Sequence, residues 1–529
     1  MKHVLVVGGG GAGLTAAIAA RKAGAEVTLV CKTAPGEASC TAFSGGGFSL
    51  ASGIISPEDH YRRVLETGRY VNDNRLVRVL AEEGEGALRT LSGWGVSIVI
   101  GERGHASCRK SAPSPLMGGG GLTKELAVLL RETGVSVLEN HVVTRLLTGD
   151  GGVEGAEGTD WKTGRGFRMG ASAVILAAGG GGRIFPRTDN PARMTGDGYA
   201  LALGAGAKLV DMEYVQFYPM GWDQADFPVW MVGLPIVDFI PVTGERGEEF
   251  LPEAFRSWGV STGREANLYC RDRAAILMAR RAQGGGKALL HLEALQEKHL
   301  SIPEVLSCLM IDLPPERRKG PVSVSPIQHY FCGGIPIDAR GRASIPGLYA
   351  CGEVTGGVDG ASRMGGNALT AVLTFALAAG CAAAEDILPE KPYRSDDWEK
   401  NPLPFAMDSR GPSPSILRRE LQQLVGRGLC PCRNGRDMEK CLSEIERWRD
   451  SWRTLRIESG MDMLHALELN GLYVTALSVS TAALLREESR GVHFRDDFPE
   501  ERQEWKRKIV IGMKNGRLET CIDAANAGQ

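Results

Sequence analysis

Apolar and polar positions group into short strands and helices from the start of the chain. Val4–Val7 is a continuous apolar run, and Val27–Val30 is interrupted only by Thr28. The glycine-rich turn Gly8–Gly13 and the mainly apolar stretch Leu14–Ala23 lie between them. Continuous apolar runs of this length are typical of buried parallel strands, which a crossover helix connects. The pattern therefore predicts a strand–turn–helix–strand unit.

The same pattern recurs in two later parts of the chain. Residues 58–100 have the period of amphipathic helices, and residues 122–178 return to alternating helix and strand. A strand, a glycine turn and an apolar helix follow at Gly347–Leu369. We therefore predict the α/β class, with a discontinuous Rossmann-like domain built from residues 1–225 and 329–400.

Two regions depart from this pattern. Residues 226–328 are rich in Pro, Trp and charged side chains and contain the helical run Asp272–Arg281, so we predict an inserted α+β capping domain. The periodicity after Ser415 is helical. We assign residues 415–510 to a C-terminal helical domain and residues 511–529 to a tail.

Composition excludes several classes of function. The net charge is −2, and no basic stripe interleaves with aromatic residues, so nucleic acid is not an expected partner. The twelve cysteines form no CxxC pair, which favours free thiols in a reducing cytoplasm and no metal site.

Membrane insertion and export are not expected either. Ala368–Ala384 is apolar enough to resemble a membrane span, but it follows a ligand-binding type of turn, and we predict a buried helix. The chain enters a strand at once, which leaves no room for a signal peptide. We expect a cytoplasmic protein with no direct membrane span.

The first glycine turn has the dinucleotide-binding pattern. Gly8–Gly13 has the GxGxxG spacing between a strand and a helix, where backbone N–H groups can approach a pyrophosphate. The acid expected at the end of the second strand to bind ribose is missing, and Cys31 and Lys32 stand there instead. This departure argues against a simple NAD site.

Several motifs in a fixed order resemble the flavoprotein subunit of fumarate reductase and succinate dehydrogenase. That family includes L-aspartate oxidase and soluble enoate reductases. The resemblance extends from about Lys2 to Pro499. The motifs are Gly8–Gly13, Thr195–Gly198, Asp211–Phe217, Cys270–Asp272, His329–Gly334, Gly347–Leu369 and Glu488–Pro499.

The resemblance implies FAD as cofactor. The histidine that bonds covalently to FAD in many members is absent, because Ser39, Cys40 and Thr41 stand in its place, so we expect non-covalent FAD. A thioether to Cys40 is the alternative. The residues assigned to the cofactor are Gly8, Gly10, Gly11, Ala12, Gly13, Cys31, Lys32, Ser39, Cys40, Thr41, Gly46, Gly47, Asp197, Glu353, Asn367 and Leu369.

The resemblance also implies a reaction and its residues. Hydride would pass between flavin N5 and one carbon of a C=C bond, with a proton exchanged at the neighbouring carbon. Arg271 would transfer the proton, Arg363 would anchor a substrate carboxylate, and His329 would contact it. Without the resemblance, Arg271 would be assigned to a salt bridge with Asp272 or Glu265.

Two departures bear on the substrate. Tyr218 stands where the family has a histidine that helps to bind a second carboxylate, and Trp230–Pro241 is an apolar segment where the family has a polar one. A phenol and an apolar wall suit an aryl or alkyl group better than a carboxylate. We therefore predict an organic acid other than simple fumarate or succinate, with Tyr218 in the substrate site.

Alternatives to this oxidoreductase of C=C and CH–CH bonds remain open. L-aspartate oxidase shares the non-covalent flavin and the arginines. A non-catalytic flavin electron-transfer subunit of a larger complex is the third hypothesis. An iron–sulfur electron-transfer subunit would be the expected protein partner, because the chain carries no cluster ligands of its own.

Overall fold

A computed structural model describes residues 2–108, 118–311, 313–386 and 403–523 of the chain. In the first part, strands and helices alternate as the apolar pattern predicts. In chain order they are β1 (His3–Val7), α1 (Gly11–Lys22), β2 (Glu26–Val30), β3 (Gly47–Gly53), α2 (Pro57–Thr67), α3 (Asn74–Gly93), β4 (Ile98–Ile100), β5 (Arg103–Cys108), α4 (Gly118–Glu132), β6 (Ser136–Leu138), β7 (His141–Gly149), β8 (Gly152–Asp160), β9 (Gly166–Gly170), β10 (Ala173–Leu176), α5 (Asp197–Gly204), β11 (Leu209–Val210) and β12 (Val215–Trp222).

Shorter strands and helices make up the middle of the chain, and a long apolar helix closes it. They are β13 (Val242–Gly244), α6 (Leu251–Ser257), α7 (Gly263–Tyr269), α8 (Arg271–Gln283), β14 (Ala288–His291), α9 (Glu297–Leu300), α10 (Pro303–Leu309), β15 (Pro321–Phe331), β16 (Ile335–Pro336), β17 (Leu348–Ala350), β18 (Thr355–Gly356) and α11 (Asn367–Glu385).

The last part is mainly helical and ends in two strands. Its elements are β19 (Ala406–Met407), α12 (Pro414–Gly428), β20 (Cys432–Arg433), α13 (Gly435–Trp448), β21 (Thr454–Leu455), α14 (Gly460–Leu485), β22 (Phe494–Arg495), β23 (Lys508–Lys514) and β24 (Arg517–Asp523). Short 3₁₀ helices lie at Gly182–Ile184, Leu234–Asp238, Leu292–Ala294, Pro315–Arg318, Arg449–Trp452 and Gln503–Trp505.

A five-stranded sheet in the order β17-β10-β1-β2-β6 lies at the centre of the fold. All its neighbouring strands are parallel, with Val6 opposite Ile175 and Ile175 opposite Tyr349. Strand β17 comes from a part of the chain far beyond β10, so the domain is discontinuous, as predicted. Residues 3–30 form the predicted βαβ unit.

Helix α11 is a core helix of this domain. It is long and apolar enough to cross a membrane by length and composition, but 72% of its apolar window is buried inside the fold. It crosses α1 closely, because a Cβ added to Gly380 would lie 2.4 Å from the carbonyl oxygen of Ala16. The structure therefore confirms the buried helix that the sequence predicts at this position.

The inserted region has a sheet and an apolar core of its own. Strands β12, β15, β14 and β13 pair antiparallel in that order, and Trp222, Leu234 and Leu290 are fully buried beneath them. This sheet begins at Val215 and ends at Phe331, so strands β12 and β15 extend from the capping region into the Rossmann-like region. The exact domain boundaries stay a prediction, and the boundary at residue 400 lies outside the described residues.

Helices α12, α13 and α14 pack together after residue 413. Asn434 and Ser459 accept hydrogen bonds from the backbone N–H groups of Asp437 and Asp462, which caps α13 and α14. Most of α14 is buried. The predicted C-terminal helical domain is present.

The structure differs from the tail predicted for residues 511–529. Strands β23 and β24 form an antiparallel hairpin that also pairs with β11. The turn residues Asn515 and Gly516 both have positive φ, which is the geometry of a tight hairpin turn. The Asn-Gly pair that follows the apolar run Ile509–Ile511 is the signal that the tail assignment overlooked. Residues 524–529 of that tail lie outside the described residues.

Candidate cofactor and substrate site

A deep cleft runs along the carboxyl ends of β1, β10 and β17 and reaches under the capping region. It encloses about 1790 Å³ of empty space, part of it open to solvent. All the residues that the sequence assigned to cofactor and substrate line this cleft except Gly13 and Asn367.

The first glycine turn forms one end of the cleft. A Cβ added to Gly8 would lie 2.2 Å from the carbonyl oxygen of Ala177, and one added to Gly11 would lie 2.7 Å from Cγ2 of Thr41. Helix α1 begins at Gly11 with no side-chain cap, and first-turn N–H groups have no partner within a helix. The backbone therefore offers a cradle of free N–H donors, which fits a pyrophosphate.

Gly13 does not line the cleft, contrary to its assignment to the cofactor. A Cβ at this position would lie 1.8 Å from the carbonyl oxygen of Gly8. The residue is glycine because helix α1 passes directly over the end of β1. Gly13 therefore contributes to the cradle only indirectly, because it allows helix α1 to lie close to the end of β1.

Asn367 is also outside the cleft. It is the first residue of α11 and is fully buried, on the side where its amide influences His60 and Asp359. Its neighbour Leu369 does line the cleft. The helical turn directs the two side chains to different sides, which a sequence motif does not reveal.

Lys32 takes part in a buried ion cluster. Its Nζ forms an ion pair with Asp197 and donates to Glu468 at 2.9 Å. Arg193 and Arg418 also bind Glu468, at 3.2 and 2.8 Å. Glu468 lies on α14 and is fully buried. The cleft residues Lys32, Arg193 and Asp197 are therefore fixed to the C-terminal helices.

Ser39 and Thr41 pack against the glycine turn, and Cys40, Gly46 and Gly47 also line the cleft wall. The Cys40 thiol lies beside the Glu353 carboxyl group. Burial, and then the charges of Glu353 and Asp189, raise the pKa of Cys40 well above its usual value. Burial raises the pKa of Glu353 to about 7, although Phe331 N–H donates to its Oε1 at 3.1 Å. Cys40 is therefore a neutral thiol.

Cys31, just after β2, is also a buried neutral thiol, because burial raises its pKa to about 12.

Arg271 and Arg363 are two buried cations in the cleft, 6% and 5% exposed. Neither forms a salt bridge with any described residue. Asp272 is bound by Arg69 at 2.7 Å, and Glu265 accepts hydrogen bonds from Ser261, so the salt bridge considered for Arg271 does not form. Burial, followed by the charge of Arg363, lowers the pKa of Arg271 to about 10.

The closest contacts of both guanidinium groups are with neutral groups, although Asp189 and Asp272 influence Arg271 from a greater distance, and Arg363 acts on Glu353 and Asp359. Arg271 donates to Oδ1 of Asn267 at 3.1 Å and lies 5.1 Å from the ring of Tyr218. Arg363 lies 4.3 Å from the ring of Tyr330. The Nε–H groups of both arginines are buried without a hydrogen-bond partner among the described residues. Two uncompensated cations of this kind create a site for an anion.

His329 lies on β15 and faces the same cleft. Its Nδ1 is 2.7 Å from Oδ2 of Asp189, and Asn190 donates to the other Asp189 oxygen at 3.1 Å. Because a carboxylate only accepts, Nδ1 carries the hydrogen in this pair. Nε2 has no hydrogen-bond partner among the described residues. Burial is the main cause that lowers the pKa of His329.

Tyr218 faces His329 at 5.5 Å between ring centroids. Its hydroxyl donates to Asn267 at 2.7 Å and accepts from the backbone N–H of Leu234 at 2.8 Å. The hydroxyl is therefore already engaged twice within the protein. Burial raises the pKa of Tyr218 to about 12, so it stays a neutral phenol.

The wall beyond Tyr218 is apolar. Phe43, Trp230, Met231 and Met310 line the cleft there, and the rings of Phe43 and Trp230 are 5.7 Å apart. The predicted apolar character of the segment from Trp230 is what the structure shows. This wall offers packing to a hydrocarbon group and no charge to an anion.

Sequence reasoning missed three side chains of this site. Asn267 lies four residues before Arg271, a spacing that could have been noticed. Asp189 belongs to an Asp-Asn-Pro turn just before the Thr195–Gly198 motif. Glu468 is a lone acid in an apolar helix, and such acids are seldom buried unless paired. For none of these three residues does a sequence motif identify the residue that it binds.

Two family models match the chain. The model described as "FAD binding domain" matches residues 3–369, and the one described as "Fumarate reductase flavoprotein C-term" matches residues 418–523. The first alone covers more than half of the chain.

Curated relatives match along nearly the whole chain. A fumarate reductase (CoM/CoB) subunit of Methanothermobacter marburgensis is 34% identical, and the match covers 97% of each chain. L-aspartate oxidase of Streptomyces coelicolor is 31% identical, and the match covers 97% of this chain and 92% of the relative.

Solved structures share the fold. Sdh1 of Mycobacterium smegmatis, solved in complex with UQ1, superposes with a TM-score of 0.80 at 26% identity, covering 99% of this chain and 94% of that one. The E. coli quinol fumarate reductase FrdA has a TM-score of 0.83 at 23% identity, covering 100% and 98%. The second match is evidence of shared architecture alone.

Proposed function

Because the chain belongs to the fumarate reductase and succinate dehydrogenase flavoprotein family, a family of FAD-dependent oxidoreductases, we propose that it interconverts C=C and CH–CH bonds of a carboxylate substrate. The observation that carries this proposal is the pair of buried arginines, Arg271 and Arg363. Both lie in the cleft that the cofactor residues line, and neither forms a salt bridge with a described residue.

The glycine cradle, the ion cluster and Glu353 are the groups that would hold FAD in this cleft. Bound FAD would supply the two-electron chemistry. We propose that it is held without a covalent bond, because the Cys40 thiol is kept neutral and a thiolate is the reactive form. Precipitation of the protein with acid tests this: yellow colour should stay in the supernatant, and colour in the pellet would contradict it.

Arg363 anchors the substrate carboxylate in this proposal. A guanidinium presents two parallel N–H donors, which match the two oxygens of a carboxylate. Charge that develops on a carboxylate conjugated with the alkene is stabilised by the same donors. Arg363 lines the cleft, and its buried Nε–H has no hydrogen-bond partner among the described residues, so a carboxylate bound in the cleft would supply an acceptor.

Arg271 transfers the proton at the carbon next to the one that exchanges hydride. An arginine is an unusual acid because its pKa in water is above about 12. Burial and the neighbouring Arg363 lower the pKa of Arg271 to about 10, which brings it closer to that task. Asn267 fixes the orientation of the guanidinium without neutralising its charge.

The substrate has one carboxylate and an apolar substituent. A second carboxylate would have to bind near Tyr218, whose hydroxyl is already used by Asn267 and by Leu234 N–H. Beyond it lie Phe43 and Trp230, whose side chains carry no positive charge to pair with an anion. Burial of an unpaired carboxylate there would be unfavourable, whereas an aryl or branched alkyl group would gain from burial.

The test is reoxidation of the reduced enzyme without oxygen. The FAD-loaded protein is reduced with dithionite and mixed with cinnamate, a branched-chain enoate or fumarate, and recovery of the flavin absorbance is followed. We expect the monocarboxylic enoates to reoxidise the flavin faster than fumarate. If no unsaturated acid reoxidises it, the proposal is wrong.

Replacement of Arg271 separates catalysis from a scaffold role. Arg271→Gln should slow reoxidation by about 10²-fold or more, because general acids contribute factors of this order. Flavin content should stay unchanged. Arg273→Gln is the matched control, since Arg273 is an exposed arginine on the same helix. An unchanged rate in Arg271→Gln would favour a non-catalytic electron-transfer role.

L-aspartate oxidation is the second candidate, because a relative of that name is 31% identical over almost the whole chain. It requires a second carboxylate to bind near Tyr218, which the local hydrogen bonds disfavour. Hydrogen peroxide released on addition of L-aspartate in air would support this candidate, and no release would dismiss it.

We also propose an electron-transfer partner of the iron–sulfur type. The relative from Methanothermobacter marburgensis is named as one subunit of its enzyme, and this chain has no CxxC pair to carry a cluster of its own. Co-purification from the native host with a protein that carries iron and acid-labile sulfide would support the partnership. Purification of the active chain alone would contradict it.

A further inference from the structure

Asp189 and His329 form a hydrogen-bonded pair in the substrate part of the cleft. The two residues come from different elements, the loop before α5 and strand β15, and their atoms are 2.7 Å apart. The loop is held to the strand by the backbone N–H of Asp189, which donates to the Gln328 carbonyl oxygen at 3.2 Å. Asn190 Nδ2 donates to the carbonyl oxygen of His329 at 2.8 Å. The pair is therefore fixed by hydrogen bonds from both sides.

This arrangement sets the tautomer of His329. Nδ1–H donates to Asp189, so the neutral ring presents the lone pair of Nε2 to the cleft. A lone pair repels a carboxylate, which has only acceptors. For the imidazole to contact a bound carboxylate favourably, Nε2 must first gain a proton.

Burial is the main cause that lowers the pKa of His329, and Asp189 raises it. Arg363 before α11 and Arg271 on α8 are the cations that face the imidazole, and both lower its pKa further while the cleft contains no anion. A bound carboxylate offsets one of these charges and accepts a hydrogen bond from Nε2–H. Asp189 then balances the imidazolium from the other side. Tyr218 on β12 stays neutral, and the Cys40 thiol and Glu353 carboxyl group lie near Asp189, whose charge raises the pKa of both.

We propose that Asp189 is a positioning residue through which His329 takes up a proton as a carboxylate binds beside Arg271 and Arg363. The proton comes from solvent and resides on Nε2, and no bond of the ligand changes. The inference rests on the proposed function only in requiring a carboxylate ligand. Affinity is then linked to pH: it increases as pH falls, and between the free and bound pKa values of His329 it changes about tenfold per pH unit.

Benzoate is the probe, because it carries one carboxylate and no alkene that the enzyme could reduce. Binding to the FAD-loaded protein is measured by titration calorimetry at pH 8 in buffers of different ionisation enthalpy, and the slope gives the protons taken up. We expect net proton uptake, of at most one proton per benzoate, in the unmodified protein.

Two variants test the assignment. His329→Asn keeps a hydrogen-bond donor that cannot titrate, so proton uptake should fall to zero and the affinity should lose its pH dependence. Asp189→Asn keeps the acceptor for Nδ1–H but removes the charge that supports the imidazolium. Uptake at pH 8 should fall, and the dissociation constant should rise about tenfold, the size of an effect of about 1.4 kcal/mol. Asp223→Asn is the control, because that carboxylate is 42% exposed and pairs with Arg187 at the surface.

Four results would overturn the proposal. They are binding of benzoate without proton uptake, uptake that persists in His329→Asn and so belongs to another group such as Glu353, uptake unchanged in Asp189→Asn, and no binding of benzoate at all. Because benzoate does not react, these results are independent of the reoxidation experiment. Proton-linked binding with no reoxidation by enoates would sustain this inference while refuting the proposed reaction.

Discussion

Tyr218 shows how one residue can restrict a binding site through its own hydrogen bonds. We expect Tyr218→Phe to lower the free energy of unfolding by about 1–3 kcal/mol, because the buried N–H of Leu234 loses the hydroxyl that accepts its hydrogen bond. Chemical denaturation of the FAD-loaded protein measures this.

Tyr199→Phe is the matched control for that experiment. Tyr199 is also fully buried, but its hydroxyl makes only long contacts, at 3.4 and 3.5 Å. Loss of the Tyr199 hydroxyl should therefore lower the free energy of unfolding clearly less than loss of the Tyr218 hydroxyl. Equal destabilisation by the two variants would mean that the hydrogen bonds of the Tyr218 hydroxyl to Asn267 and Leu234 do not stabilise the capping region at the cleft.

Glu353 gives the fold a dependence on pH. Burial raises its pKa to about 7, above the usual value of 4.5, so the folded state binds its proton more tightly than the unfolded state. The contribution of Glu353 to the free energy of unfolding is most favourable below pH 4.5 and is lost as pH rises from 4.5 to 7. Glu353→Gln cannot titrate, so the variant should gain stability relative to the wild type across this window.

Thermal unfolding of the FAD-free wild type and Glu353→Gln from pH 4.5 to 8 measures that difference. Asp359, whose pKa burial raises to about 6, titrates in both proteins and cancels in the comparison. A difference in melting temperature that stays constant with pH would show that Glu353 keeps its ordinary pKa in the fold.

At the scale of elements, the terminal hairpin depends on its turn. Asn515 and Gly516 have φ values of 51° and 73°. Gly516→Ala places a Cβ on a left-handed residue and should cost about 1–2 kcal/mol. Gly512→Ala on β23 is the control, because neither glycine has an atom within 4 Å of an added Cβ and only Gly516 has a positive φ. Denaturation midpoints compare the two, and equal midpoints would argue against turn strain.

The elements differ in how far the sequence predicts them. The βαβ unit, the core helix α11 and the helices after residue 413 follow from apolar period and length, because local pattern determines them. The hairpin of β23 and β24 was missed although its Asn-Gly turn is a local signal. The sharing of β12 and β15 between the two regions is a tertiary property, since it depends on strand pairing between distant segments.

The residues of the site also differ in how far the sequence predicts them. Glycine turns and the family motifs locate the cleft, because backbone approach to a ligand demands particular residues at fixed spacing. The hydrogen bond of Asp189 to His329 and the ion cluster of Glu468 join residues far apart in the chain. Asn367 lies outside the cleft, which the sequence does not reveal because a motif identifies a turn and leaves open which side each of its residues faces.

At the scale of the whole molecule, Glu468 joins the C-terminal helices to the cleft. Glu468→Gln would leave Lys32, Arg193 and Arg418 with less compensating charge in a buried place. We expect a loss of about 3–5 kcal/mol, the cost of breaking a buried ion pair. Flavin content should fall as well, because Lys32 and Arg193 line the cleft.

Denaturant titration and the ratio of flavin to protein absorbance measure these two effects. Glu157→Gln is the control: Glu157 is also buried, but its partner Arg145 is 67% exposed, and such pairs contribute little. If Glu468→Gln matched this control, the cluster would not join the two regions.

The order of strands in the central sheet has a consequence for biosynthesis. On the ribosome, β10 is complete long before β17, its neighbour in the sheet, has been translated. At 5–20 residues per second this interval is roughly 10–35 s. During it the unpaired backbone edge of the apolar strand β10 is open to pairing with other chains. The parallel sheet is completed only when residue 350 has emerged, so this edge is exposed to mispairing until late in synthesis.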